Sequence, residues 1–237
     1  MSIAEITRLP DPSSQVWSFA GKRPIASPAD FDDDLLALQR AGSKIRFDRG
    51  ETVFNEGDPA EHSYRVVSGA VRLCKHMVDG RRQIAQFLLP GDYFSFVDMT
   101  EHSFTAEAVC DVVLVCYPQR QITRMTEERS GLRRFFGSLL SRRVRDVQNH
   151  LVLLGRQTAK EKVASFLVML IEREGAESSR LSVPMSRQDI ADYLGLTIET
   201  VCRVLSAMKR KKLIDIPGVH ELTIRDSEAL YALAEGE

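Results

Sequence analysis

Between residues 44 and 118 apolar and polar side chains alternate in short runs: Ile45 and Phe47, Val53, residues 64–67, Val71 and Leu73, residues 84–88 and residues 104–116. A period of two places every second side chain on one face, so these runs predict half-buried strands. Turn signals separate them at Gly57-Asp58-Pro59, Ser68-Gly69, Asp79-Gly80 and Pro90-Gly91-Asp92. The four glycines stand 12, 11 and 11 residues apart, the rhythm of an antiparallel sandwich or jelly roll, and Asp79-Gly80 suits a tight hairpin. An eight-strand roll is expected, and residues 31–125 form the first folded domain, with a short helix over residues 31–41 ahead of the strands.

After Pro118 the period becomes helical. Leu140, Val144, Val147, Leu151 and Leu154 step by 4, 3, 4 and 3, a narrow seam rather than the broad stripe of a helix lying on a core. Residues 126–155 are therefore expected to form a dimerisation helix, and residues 155–158 a hinge. Residues 159–174 predict a helix and residues 180–183 a strand, opening a second domain over residues 156–237. Residues 213–216, the Pro217-Gly218 turn and residues 221–224 predict a two-stranded wing, and residues 226–235 a last helix. Residues 1–30 carry four prolines and no sustained period and are expected to be a flexible extension.

The most informative stretch is residues 184–212, PMSRQDIADYLGLTIETVCRVLSAMKRKK. Ser186 and Asp189 have capping-box spacing for a helix starting at Arg187, with Ile190, Ala191 and Leu194 on its inner face. Gly195 supplies the turn. Thr197 caps a second helix that turns Val201, Val204, Leu205 and Met208 inward and Glu199, Cys202 and Arg203 outward. Two short helices about a tight turn predict a helix-turn-helix, whose second helix enters the major groove. Arg203 is shaped to grip guanine O6 and N7, and Glu199 to accept from cytosine N4. Ser186, Arg187, Thr197, Thr200 and Lys209 are placed for the phosphate backbone. On an ordinary solvated helix Glu199 and Arg203 would instead form an i,i+4 ion pair.

Charge changes this picture little. The 237-residue chain is 43 % hydrophobic with a formal charge of −1, so nucleic-acid binding has to be local. It is concentrated at residues 203–212, with five basic residues and no acid. Cys74, Cys110, Cys116 and Cys202 form no C-x-x-C pair, as expected of a reducing cytoplasm. No apolar run is long enough to span a membrane and no signal peptide is evident, so the protein is expected in the cytoplasm. His62, His76, His102, His150 and His220 are scattered singly and make no His-x-His metal set. No catalytic or metal site is expected, and an enzyme built on the roll is disfavoured.

The order of roll, long helix and winged helix-turn-helix, with Met185-Ser-Arg-x-Asp-Ile-Ala-x-Tyr-Leu-Gly-Leu-Thr-x-Glu-Thr-Val-Cys-Arg203, resembles the CRP/FNR family of bacterial transcription regulators over residues 47–233. The resemblance implies an α+β chain: a cyclic-nucleotide-binding-like jelly roll, a dimerisation helix and a winged helix-turn-helix. It also implies a homodimer on a palindromic promoter site in double-stranded DNA, with RNA polymerase as a partner. The stretch from Tyr193 to Arg203 looks like the FNR/FixK branch. The family's Glu-x-x-Ser-Arg becomes Glu199-x-x-Cys202-Arg203, and Ile198 stands where the cyclic-AMP branch has Arg, which implies a TTGAT-type half-site.

Comparison with the family's sensors implies what the roll lacks. No Arg lies between Arg82 and Arg120 to hold a cyclic phosphate, and no cysteine precedes Cys74, so the ligands of an iron-sulfur cluster are missing. Ser95 and Val97 fall at the positions of haem ligands and ligate nothing. A FixK-like regulator without a cofactor, activating genes used at low oxygen, is the resulting expectation. The alternative is an effector-gated regulator whose roll binds an unidentified small molecule. Cys202, beside Arg203, is a candidate redox switch, because oxidation to a sulfinic acid would set a negative charge against DNA; otherwise it merely replaces Ser. The other three cysteines are expected in the core.

Overall fold

The computed structural model describes residues 32–96, 100–174 and 179–236. The expected extension over residues 1–30 and the candidate position Val97 lie outside them. A short helix, α1 (Asp32–Ala41), precedes eight strands: β1 (Ser43–Phe47), β2 (Thr52–Phe54), β3 (His62–Ser68), β4 (Val71–His76), β5 (Arg82–Leu88), β6 (Tyr93–Phe94), β7 (Thr105–Ala108) and β8 (Val112–Pro118). They pair antiparallel into two four-stranded sheets, ordered β1-β8-β3-β6 and β2-β7-β4-β5, which is the expected jelly roll. Gly69, at φ +81°, shows why the turn residues matter: a Cβ there would sit 2.3 Å from the Asp111 carbonyl oxygen. Between the sheets Phe54, Tyr64, Val66, Phe94 and Leu114 are buried, and His102 stacks on Phe54 at 3.5 Å.

Two helices follow, α2 (Gln119–Glu128) and α3 (Ser130–Arg156). Arg129, extended at φ −123°, breaks the chain between them, so the long helix begins at Ser130. Its first turns are buried: Leu132 and Phe136 join Leu38, Tyr117 and Ile122 beneath the roll. Further on, Leu140, Val144, Val147 and Leu151 are exposed. Leu154 leaves this stripe. It is half-buried, with its Cδ2 near the backbone of Gly195, because here the helix end meets the second domain.

That domain comprises α4 (Ala159–Glu174), β9 (Arg180–Ser182), α5 (Arg187–Leu194), α6 (Ile198–Arg210), β10 (Ile214–Gly218), β11 (Glu221–Ile224) and α7 (Ser227–Glu235). The wing gains a third strand, since β11 pairs with both β10 and β9. One buried cluster joins Cys74, Ile84 and Phe87 of the roll to Phe166, Leu167, Ile190, Tyr193 and Val201, so the two domains share apolar packing. Among the described residues no helix is long and apolar enough to cross a membrane.

Candidate nucleic-acid interface

The first helix of the pair is fixed at both ends by its own sequence. Ser186 Oγ accepts from the Asp189 N–H at 3.0 Å, and Asp189 Oδ2 accepts from the Ser186 N–H at 3.0 Å, completing the capping box. At the other end Gly195 takes the left-handed conformation, φ 62° and ψ 41°, which redirects the chain within three residues into α6. Thr197 caps that helix through the Thr200 N–H. Val201, Val204, Leu205 and Met208 are buried against the domain core. At roughly 25 cal/mol per Å² of apolar surface, seating four such side chains fixes which face α6 turns outward.

The outward face carries Glu199, Cys202 and Arg203, all exposed. Among the described residues no ion pair joins Glu199 to Arg203. Arg203 instead donates from Nη2 to Thr200 Oγ1 at 3.4 Å, a long contact that leaves the guanidinium fork open. The Glu199 carboxyl is held below its ordinary pKa by its own backbone N–H and by the Thr197 hydroxyl, so it is ionised. A carboxylate acceptor and a guanidinium donor thus project side by side from a helix of groove-filling size.

The residues expected at the phosphate backbone are mixed. Ser186 is occupied by its cap, and Thr197 bonds to Thr200 within the helix start. Arg187 is half-buried, and its Nη1 has no hydrogen-bond partner among the described residues. Burial lowers the Arg187 pKa, and the Cys202 charge partly offsets this. Lys209 is exposed but paired with Asp215 Oδ1 on β10 at 3.2 Å, and Arg225 reaches the same carboxylate at 3.3 Å. At the wing tip Val219 is exposed, and residues 217–220 carry no Lys or Arg.

A second set of residues, unforeseen in the sequence, holds the reading domain to the roll. Arg72 of β4 donates to Glu107 Oε2 at 2.7 Å and to Asp189 Oδ1 at 3.1 Å. Arg82 of β5 reaches Asp189 Oδ1 at 2.6 Å and Asp192 Oδ2 at 2.7 Å, and Gln83 donates to the Asp192 carbonyl at 2.7 Å. Asp189 is 4 % exposed, so the carboxylate that caps α5 is also the buried anchor of two guanidinium groups. Burial alone would raise its pKa, but Ser186, Arg72 and Arg82 reverse that and hold it below the carboxylate range. On α3, His150 stacks on Tyr193 at 4.2 Å. Burial, then the Lys162 charge, lower the His150 pKa, and neither ring nitrogen has a partner among the described residues. Lys162 itself is buried and donates to the carbonyls of Leu154 and Leu194, the C-terminal ends of α3 and α5. None of these partners is local in sequence, and only the single charges at 72, 82, 189 and 192 signal them.

The cysteines separate as expected only in part. Cys74 and Cys116 are buried, Cys110 is half-buried and Cys202 is exposed. Cys74 does not sit among apolar side chains alone, since Arg72, Arg82 and Glu107 all bear on it.

Comparison with known proteins places these features. Residues 44–129 match the cyclic nucleotide-binding domain, and residues 161–233 the Crp-like helix-turn-helix domain. The nitrogen fixation regulation protein FixK of Bradyrhizobium diazoefficiens is 41 % identical over 206 residues, covering 85 % of this chain and 86 % of that protein. FixK of Rhizobium meliloti is 43 % identical over 184 residues, 78 % and 83 % of the two chains. The solved structure of FixK2 from Bradyrhizobium japonicum superposes with a TM-score of 0.77 at 35 % identity, covering 81 % of this chain and 96 % of that one. A jelly roll, a long helix and a winged helix-turn-helix in this order, shared with FixK proteins along most of both chains, make this chain a member of the CRP/FNR family of DNA-binding transcription regulators.

Proposed function

We propose that two copies of this chain, joined along α3, bind an inverted-repeat TTGAT-type promoter site and activate genes used at low oxygen, with RNA polymerase as the partner on the promoter. The reading divides the chain into an extension (1–30), a sensor-like roll (31–125), a dimerisation helix (126–155) and a DNA-binding domain (156–237). One observation carries it: α6 buries Val201, Val204, Leu205 and Met208 and offers Glu199, Cys202 and Arg203 to solvent. Arg203 reads guanine, Glu199 reads cytosine, and Ser186, Arg187, Thr197, Thr200 and Lys209 line the backbone path. The seam is Leu140, Val144, Val147 and Leu151, with Leu154 at its end turned toward the DNA-binding domain. The regulatory role is supported by relatives named for nitrogen fixation regulation, and by AadR of Rhodopseudomonas palustris, a transcriptional activatory protein 37 % identical over 86 % of both chains. Phe54, Tyr64, Phe94 and His102 pack on one another between the sheets, which supports a roll whose interior takes no cyclic nucleotide or haem. Cys202, exposed and next to Arg203 in sequence, serves as an oxidisable group at the DNA surface.

Selection from random duplexes tests the reading. It should enrich an inverted repeat with half-sites about one helical turn apart, bound at one dimer per duplex. Enrichment of a single half-site, or a complex containing one chain, would sink it. Peroxide should weaken binding by the natural chain and leave Cys202→Ser unaffected; equal sensitivity removes the switch.

A further inference from the structure

Three side chains with metal-ligating atoms converge on the face of the roll that meets α5. Cys74 and His76 stand at alternate positions of β4 and share a face, and β7 brings Glu107 alongside through its pairing with Arg72. Cys74 Sγ lies 3.6 Å from His76 Nε2, and His76 Nε2 lies 3.1 Å from Glu107 Oε1. All three ligand atoms fall within 4.8 Å of one another. A tetrahedral zinc ion with its usual bond lengths spaces such atoms about 3.2 to 3.7 Å apart. The second Glu107 oxygen accepts from Arg72 at 2.7 Å, which supplies the outer partner that orients a ligating carboxylate. Half of the His76 side chain is in solvent, giving an entry path, while Cys74 closes the inner side.

We propose that Cys74, His76 and Glu107 bind one divalent transition-metal ion of the zinc class per chain, leaving a fourth position for water, and that occupancy loosens the roll from the helix-turn-helix. Thiolate with imidazole selects such ions over magnesium or calcium. The thiol proton leaves to solvent as the metal–sulfur bond forms. Glu107 is also the ion partner of Arg72, and Arg82 lies 3.8 Å away. A dication draws on that carboxylate and repels both guanidinium groups, the same two that grip Asp189 of α5. A less firmly held reading domain pays more to reach the groove, so affinity for DNA falls. A plain His–Glu hydrogen bond beside a buried thiol would give the same contacts without an ion, so stoichiometry decides.

Chelator-treated full-length protein should take up one Zn²⁺ or Co²⁺ per chain, and the cobalt form should show thiolate-to-cobalt charge-transfer absorption. Both should be lost in Cys74→Ala and in His76→Gln, the latter at a half-exposed position whose replacement spares the core. No uptake by the natural chain, or uptake at one ion per chain by either variant, overturns the site. The second half rests on the DNA-binding reading. Zinc should weaken binding to the selected site roughly 5-fold or more in the natural chain and not in His76→Gln. Zinc-independent affinity in the natural chain overturns the coupling. Absence of specific binding by the ion-free protein is a failure of the DNA-binding reading instead.

Discussion

Two helices of this chain leave opposite kinds of surface to solvent. α6 hides Val201, Val204, Leu205 and Met208 and shows water a carboxylate, a thiol and a guanidinium. α3 does the reverse along its middle, where Leu140, Val144, Val147 and Leu151 are 44, 49, 52 and 64 % exposed. A polar face left open suits a partner rich in hydrogen-bonding edges and charge. An apolar stripe at 3–4 spacing suits another stripe like itself, because packing the two together removes both from water. The contrast fits the proposal of one partner for each helix, nucleic acid for α6 and a second copy for α3.

The comparison breaks most visibly if the apolar stripe is charged. Val147→Glu with Leu151→Glu should convert the proposed dimer to monomer in analytical ultracentrifugation and cut affinity for the selected inverted repeat on the order of 100-fold or more, the gain that linking two sites provides. An unchanged dimer would move the seam elsewhere. Cutting the tie between roll and reading domain comes next. Arg82→Met should cost about 2 kcal/mol in denaturant unfolding, less than the usual loss for a broken buried pair because Arg72 still holds Asp189. Arg203→Ala should cost about 1 to 3 kcal/mol on the selected site and nothing on random duplex, whereas Lys209→Ala should weaken both alike and lower the salt slope by about 1. Equal losses on the two DNAs with Arg203→Ala would remove its reading role.

The smallest effect is set by pH. Folding holds the His150 pKa below its ordinary value, so the unfolded chain binds more protons below about pH 6.5 and stability falls as pH drops. One group contributes less than about 1.4 kcal/mol per pH unit. Asp189 and Glu107, both depressed, keep their contribution until pH falls through the carboxylate range near 4. His150→Phe, which preserves the stack on Tyr193, should flatten the curve between about pH 6.5 and 5 and leave the acid limb in place. An unaltered slope would show that His150 is charged in the folded chain.

What the sequence disclosed was whatever local rules govern. The capping pair Ser186 and Asp189, the turn at Gly195 and the inner face of α6 each depend on neighbours within a few residues, and the structure reproduces them. The strands followed from alternation and from glycine spacing. The second half of Asp189's work, gripping Arg72 and Arg82 more than 100 residues away, left no periodic trace. The same holds for Leu154, whose place in a regular 4, 3, 4, 3 series gave no sign that the helix end turns toward Gly195. The third wing strand was missed as a pairing, not as a strand, because partner choice depends on the whole domain.

Lys162 gives the assembly a mechanical property. Its ammonium is shared between the carbonyl ends of α3 and α5, so both helix ends are tied to the same nitrogen atom. In the proposed dimer, a slip of one subunit against the other along α3 would therefore be relayed to α5 and, through the short link at Gly195, to the spacing of the two α6 helices. On the proposed inverted repeat, the spacing between the two half-sites would then be felt at a single lysine.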